Sequence, residues 1–270
     1  DQETGNIRKI SKRKDPWFGV KYYDENGIPI EALHLYLATI TNTNFEEWYL
    51  QNPDISISDF TFSFDKQAVG GTSFDENKLV NLCKTYFSRK NGKEVYAETL
   101  EWAKKHDEEY AKLMEDNKDD LEKFFNIEKE GPRPRKDISK WSEVKENIEY
   151  MYDEPFYGKE QKYDYQVIND KEEINKILTL YIEKYYSEVD DKQAWFDKIK
   201  ALSVEMGYAG EVKEFKANPD MYKAHVGDVS TVLRVALTAR TNTPDMYEIM
   251  QVLGKDVVEK RLQKAIENLK

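Results

Sequence analysis

Asp228-Val-Ser-Thr-Val-Leu-Arg-Val-Ala-Leu-Thr238 is the sharpest helical pattern in this 270-residue chain. Asp228 reads as an N-cap, and Val232, Leu233, Ala236 and Leu237 fall on one face behind it. Thr243-Pro244 then reads as a second start, a cap followed by proline at the first helical position, where its missing N–H costs nothing. That short helix stops at Gly254, and Val257, Val258, Leu262 and Ile266 mark the last one. Upstream, Asp170 with Glu173 is an N-cap pair ahead of Ile174, Ile177, Leu178, Tyr181 and Tyr185. Trp195, Ile199, Leu202 and Met206 form the next stripe, ended by Gly207 just past the helix. Short connections between such stripes predict a compact packing of small helices.

Working outward, Pro29 opens a helix with Ile30, Leu33, Leu37 and Ile40 on one face. Residues 55–64 read differently: Phe60, Phe62 and Phe64 alternate with Thr61 and Ser63, the period of a short strand with one buried face. Gly70-Gly71 reads as a turn, and Leu79, Leu82, Cys83 and Tyr86 as a helix. Residues 93–130 carry 13 acidic and 7 basic side chains, with Tyr96, Leu100 and Ala103 on a narrow apolar stripe, which predicts solvated helices. Gly131-Pro-Arg-Pro-Arg-Lys136 forbids regular helix. A helix with Ile138, Trp141, Val144, Ile148 and Met151 inward follows. Residues 153–169, aromatic and polar without a period, read as connecting structure. The fold class is mainly α, with one short strand element near the start.

Composition narrows the function classes. Charged residues are 34% of the chain and the formal charge is −11, against about 25% charged for an ordinary domain. No apolar run approaches the roughly 18 residues of a membrane span, so no membrane partner is expected. One cysteine, Cys83, excludes an intramolecular disulfide and fits a reducing, cytoplasmic setting. Three scattered histidines, His34, His106 and His225, argue against a zinc site, and no metal ligand set is expected. The chain opens in charged, loop-like sequence without an initiator Met or signal-peptide pattern, which suggests a piece of something longer.

Two basic clusters stand out against the acidic whole. Residues 1–21 hold six basic and three acidic side chains, centred on Lys9-Ile-Ser-Lys-Arg-Lys14. Closely spaced ammonium and guanidinium groups suit a polyphosphate, and Ser11 can donate to the same oxygens. A solvated basic tail is the plainer reading. Residues 131–145 hold five basic and two acidic side chains, including Arg133, Arg135, Lys136 and Lys140, with Trp141 beside them. A rigid Pro-Arg-Pro-Arg loop can present guanidinium planes to an RNA base, or simply balance the acidic helices before it.

The order of residues adds a resemblance. Lys9-Ile10-Ser11-Lys12-Arg13 resembles the second signature of class I aminoacyl-tRNA synthetases, which glutamyl and glutaminyl enzymes commonly show as Lys-Leu-Ser-Lys-Arg. Gly27-Ile-Pro-Ile-Glu-Ala-Leu33 with Tyr36-Leu37, and Phe74-Asp75 with Lys78-Leu79, resemble stretches of bacterial glutamyl-tRNA synthetases. So do Leu233-Arg-Val-Ala-Leu-Thr238, Thr243-Pro244, and Leu253-Gly254-Lys255 with Val257 and Arg261. These ordered matches span nearly the whole chain. Glutaminyl enzymes usually read the anticodon with β-barrels, so the helical C-terminal half favours the glutamyl branch. The family's first signature, of the His-Ile-Gly-His type, has no counterpart here.

The resemblance implies a C-terminal, tRNA-binding part without the nucleotide-binding fold, inactive by itself and holding no cofactor. It implies three domains: the signature loop and a stem-contact domain over 1–92, a first helical anticodon-binding subdomain over 93–170, and a second, a helical cage, over 171–270. The intact enzyme would use ATP and Mg²⁺ to activate glutamate and pass it to its tRNA. Lys9, Ser11, Lys12 and Arg13 would face ATP phosphates, and Arg234, Thr243 and Pro244 would meet anticodon bases. Arg133 and Arg135 are further RNA candidates from the chemistry of their loop. Read without the resemblance, Thr243-Pro244 is a plain helix cap and Arg234 a surface ion pair. The expected partner is glutamate tRNA, with no DNA, and the expected state a monomer. The rival class is an acidic helical adaptor that binds proteins through its aromatic surfaces.

Overall fold

A computed structural model describes residues 5, 11, 13–15, 19–52, 56–67 and 74–269. Chain contacts divide it into two units, Asp1–Lys145 and Glu146–Lys270. Among the described residues there is no strand, only isolated bridges such as Asn42 with Gln67. No helix among them is long and apolar enough to cross a membrane.

The first unit begins with α1 (Val20–Glu25), α2 (Ile30–Thr41), α3 (Phe45–Gln51) and α4 (Glu76–Ser88). Helix α2 was expected to bury Ile30, Leu33, Leu37 and Ile40. Leu33 is buried, but Ile30 and Leu37 are exposed at 44% and 45%. The reason is that α2 feeds two clusters at once. Ala32, Leu33 and Tyr36 pack with Leu79 and Cys83 of α4, while Leu35 and Ala38 pack with Phe45, Tyr49 and Phe60. The Asp75 N–H donates to the Tyr36 hydroxyl at 2.7 Å and so ties α2 to the start of α4. Cys83 is a buried core residue, its thiol pushed up to about 12 mainly by burial.

The strand expected near Phe60–Phe64 does not form. Ile57–Asp59 and Phe64–Lys66 are single 3₁₀ turns. Phe60 is buried, edge-on to Phe45 at 4.9 Å, but Phe62 and Phe64 are exposed. The Ser56 side chain accepts from the Ser58 N–H, and Asn42 Nδ2 donates to the Ser63 carbonyl at 2.9 Å. Local side-chain bonds thus satisfy backbone that a neighbouring strand would otherwise pair. The Gly70-Gly71 turn lies outside the described residues.

Helices α5 (Gly92–His106), α6 (Glu108–Asp116) and α7 (Lys118–Asn126) form a packed trio. Asn91 caps α5 in a reciprocal box with Glu94. Gly92 lets α7 approach: a Cβ there would lie 2.2 Å from the Glu122 carbonyl. The loop after α7 leads to α8 (Trp141–Ile148), whose Val144 and Ile148 are buried as expected.

The second unit holds α9 (Asp153–Tyr157), α10 (Lys171–Leu180), α11 (Lys192–Glu205), α12 (Val212–Ala217), α13 (Val226–Thr238), α14 (Met246–Leu253) and α15 (Lys255–Leu269). Helix α13 packs on α15, α11 and α10, and α10 on α15. Tyr181, wholly buried, takes a hydrogen bond from Trp195 Nε1 at 2.9 Å, so these aromatics are core. Asp170 caps α10 by accepting from the Glu172 and Glu173 N–H groups. Gly207, at φ +81°, follows the end of α11. Two caps differ from expectation. His225, not Asp228, is the N-cap of α13; its Nδ1 accepts from the Gly227 N–H while Asp228 accepts from the His225 N–H. Asp245, not Thr243, caps α14.

Candidate nucleic-acid interface

The α13–α14 corner is built from α13's buried faces outward. Val229, Val232, Leu233 and Ala236 fix the helix in the core, which leaves Arg234 half-buried. Ala239 adopts the left-handed conformation at φ 55° and turns the chain back. The return brings Thr243 beside Arg234: Arg234 Nε donates to Thr243 Oγ1 at 3.1 Å. The same hydroxyl donates to the Pro244 carbonyl at 3.0 Å. Asp245, not Thr243, does the capping. Pro244 is buried beneath the corner. The Thr238 hydroxyl donates to the Arg234 carbonyl and accepts from the Arg240 N–H, which holds the turn in shape.

Two arginines outside the expected set complete the corner. Arg240 donates to the Glu146 carbonyl and lies over the Tyr150 ring at 5.3 Å. Arg261, wholly buried, donates to the carbonyls of Tyr150 and Leu237 and lies 4.1 Å over Phe156. Its Nη2 is 3.4 Å from Asp153. Burial pushes the Asp153 carboxyl up, but Lys260 and Arg261 outweigh it and hold the group below the usual carboxylate range. Helical spacing puts Arg261 on the inward face with Val258, Leu262 and Ala265, a signal visible in the sequence. Chemically, the corner offers guanidinium and hydroxyl groups in fixed orientation, suited to the acceptor-rich edges of unpaired bases.

The other expected residues lie elsewhere. Arg133 is exposed on its loop. Arg135 is turned inward: its side chain is 7% exposed, Nε donates to Asp137 at 2.8 Å, and the guanidinium lies over Phe124 at 5.3 Å. Lys136 donates to the Thr85 hydroxyl. At the signature loop, Lys9 and Lys12 lie outside the described residues. The Ser11 N–H donates to Asp15 Oδ2 at 2.8 Å, and the Ser11 carbonyl accepts from the N–H groups of Lys14 and Asp15. Arg13 is exposed. This turn engages both the amide and the carbonyl of Ser11. Among the described residues no group of His, Cys, Asp or Glu is arranged to hold a metal ion.

Residues 78–266 match the anticodon binding domain family. Similar proteins include the glutamate–tRNA ligase of Acetivibrio thermocellus, 42% identical over 264 residues, covering 98% of this chain and 48% of that one. The glutamate–tRNA ligase of Clostridium perfringens is 42% identical over 259 residues, covering 95% and 47%. A crystal structure of a glutamate tRNA ligase from Elizabethkingia meningosepticum, in complex with its amino acid, superposes with a TM-score of 0.61 at 15% identity, covering 98% of this chain and 49% of that one. At that identity the likeness concerns the fold. The chain spans about half the length of the curated relatives it matches.

Proposed function

Because the chain belongs to the anticodon binding domain family, we propose that it is the tRNA-binding part of a glutamate–tRNA ligase. The observation that carries this reading is the Arg234–Thr243 hydrogen bond, which joins a side chain of α13 to the connection before α14 in one polar corner. Anticodon bases are single-stranded and splayed, and reading them needs fixed donors and flat faces rather than a broad basic surface. That fits a chain of net charge −11. In this reading Arg234 and Thr243 hydrogen-bond base edges, and buried Pro244 holds the second of them in place. Residues 1–92 contact the inner stem of the tRNA, 93–170 form the first anticodon-binding subdomain and 171–270 the second. Exposed Arg133 adds a backbone contact, while Arg135 supports its loop from inside.

The whole enzyme would act in the cytoplasm as a monomer on glutamate, ATP and glutamate tRNA. ATP with Mg²⁺ would supply the activation of the glutamate carboxylate. Ser11, Arg13, Lys9 and Lys12 would bind its phosphates. The chain's own task is selection and positioning: it reads one end of the tRNA so that the other end meets a distant site.

The test is binding of the chain to a glutamate tRNA transcript at two salt concentrations, beside the same transcript with its anticodon bases replaced. Replacement should weaken binding by about 1–3 kcal/mol per lost base contact. Equal binding of both transcripts, erased by salt, would mean phosphate contacts only and would defeat the anticodon reading.

A further inference from the structure

Residues 158–169, between α9 and α10, form no helix and line one side of a cavity of about 690 Å³. Lys171 and Ile174 of α10 and Lys264 and Asn268 of α15 line the other. The whole cavity lies within the second unit, and its volume falls in the range of about 300–1,000 Å³ typical of small-ligand sites. Neither the α13–α14 corner nor the signature loop contributes to it.

Its chemistry is specific. Tyr163 and Tyr165, two apart in the chain, hold their rings nearly parallel, 13° between planes and 6.3 Å between centroids. Buried Ile168 anchors the segment behind them. The Tyr165 hydroxyl is buried and has no hydrogen-bond partner. Lys159, Lys171 and Lys264 are exposed around the cavity. Lys159 is paired with Glu149 and Lys264 with Glu267, both exposed pairs that yield readily to a better anion. Glu160 and Asp164 also line the cavity, and their charge disfavours a long run of phosphates.

We propose that this cavity binds one unpaired nucleotide, its base against the Tyr163–Tyr165 face and its phosphate on Lys171 and Lys264. Flat aromatic faces, amide groups and a few ammonium groups form the set that recognises a base with a single phosphate. The nucleotide comes either from a bound RNA strand, which rests on the function proposed above, or from a free mononucleotide.

The experiment uses the 270-residue chain, a glutamate tRNA transcript and adenosine 5′-monophosphate alone. Tyr163→Ala with Tyr165→Ala should weaken one probe by about five- to a hundred-fold, the range of one lost base stack. Lys171→Ala with Lys264→Ala guards against a folding artefact: both side chains are exposed, so Tm should stay unchanged, yet the bound probe should weaken. Weakened transcript binding, with a 4-thiouridine crosslink mapping to residues 158–169, identifies RNA as the source. Weakened monophosphate binding with an unchanged transcript identifies a free nucleotide. If Arg234→Ala weakens the transcript while the tyrosine and lysine variants change neither probe, the cavity proposal falls and the anticodon reading stands. If no variant changes either probe, both fall.

Discussion

The Arg261 guanidinium, wholly buried, donates to the Leu237 carbonyl at 3.0 Å and to the Tyr150 carbonyl as well. Leu237 lies one residue before the end of α13, where the chain turns toward Thr243. One side chain therefore locks the last turn of α13 to the segment before α9. Truncation would leave two carbonyls and the Asp153 carboxylate short of a partner and open a void over Phe156. Arg261→Ala is expected to destabilise the second unit by about 3–5 kcal/mol. Arg261→Lys should recover little, because an ammonium cannot span two carbonyls and a carboxylate in a planar fork. Denaturant unfolding of the three proteins checks this; full recovery by lysine would contradict the fork geometry.

Lys129 supplies a pH test in the first unit. Its Nζ donates to the Phe87 carbonyl at 2.6 Å. Burial first, then repulsion from Arg135, pulls its pKa down to about 8, with Asp137 opposing. In the unfolded chain it titrates near 10.4. Between those values the unfolded state binds more protons, so this group's contribution to stability rises with pH. Below about pH 8 the fold bears the full cost of a buried ammonium. Lys129→Met should therefore raise Tm at pH 7, and the advantage over the parent should shrink toward pH 10. The Phe87 carbonyl keeps the Lys90 N–H as partner, so the substitution strands no acceptor. A Tm difference that stays constant from pH 7 to 10 would refute the assignment.

Gly92 tests the close approach of α5 and α7. An added Cβ would meet the Glu122 carbonyl at 2.2 Å and the Asn126 nitrogen at 2.8 Å, both backbone atoms. The Gly92 N–H also donates to Asn126 Oδ1 at 3.1 Å. Alanine usually favours a helix over glycine by up to about 1 kcal/mol. Here the clash should win, and Gly92→Ala should destabilise by about 1–3 kcal/mol. Thermal unfolding decides the sign.

What could be read from the sequence follows from how local each cause is. The cap at Asp170 bonds within three residues, so side-chain type and spacing reveal it. The Thr243-Pro244 start looked equally local, yet the cap is Asp245, because Arg234, nine positions back, claims the threonine hydroxyl. His225 was missed as a cap because its ring does what Ser or Asp usually does. Phe60, Phe62 and Phe64 alternate as a strand would, but no partner strand reaches them, and only Phe60 finds a core. Arg261 stands at an inward helical position where sequence rules expect an apolar residue. Its carbonyl partners lie 24 and 111 residues away, and no spacing rule connects them. Arg135 is the converse: a loop arginine in a basic cluster that folds back onto Phe124.

The Arg234–Thr243 pair carries the functional test. Arg234→Ala removes a guanidinium from the corner, and Thr243→Val removes its acceptor with little change of shape. If the pair reads bases, Arg234→Ala should weaken the glutamate tRNA transcript by about 1–3 kcal/mol. It should weaken the anticodon-replaced transcript far less, because that contact is already lost there. Thr243→Val should act in the same direction, since it loses the threonine's own base contact and loosens the arginine. The slope of affinity against salt should fall by no more than about one ion for Arg234→Ala, as one cation contributes at most one phosphate contact. An equal loss on both transcripts would reassign Arg234 to the phosphate backbone, with base discrimination left to other groups of the second unit.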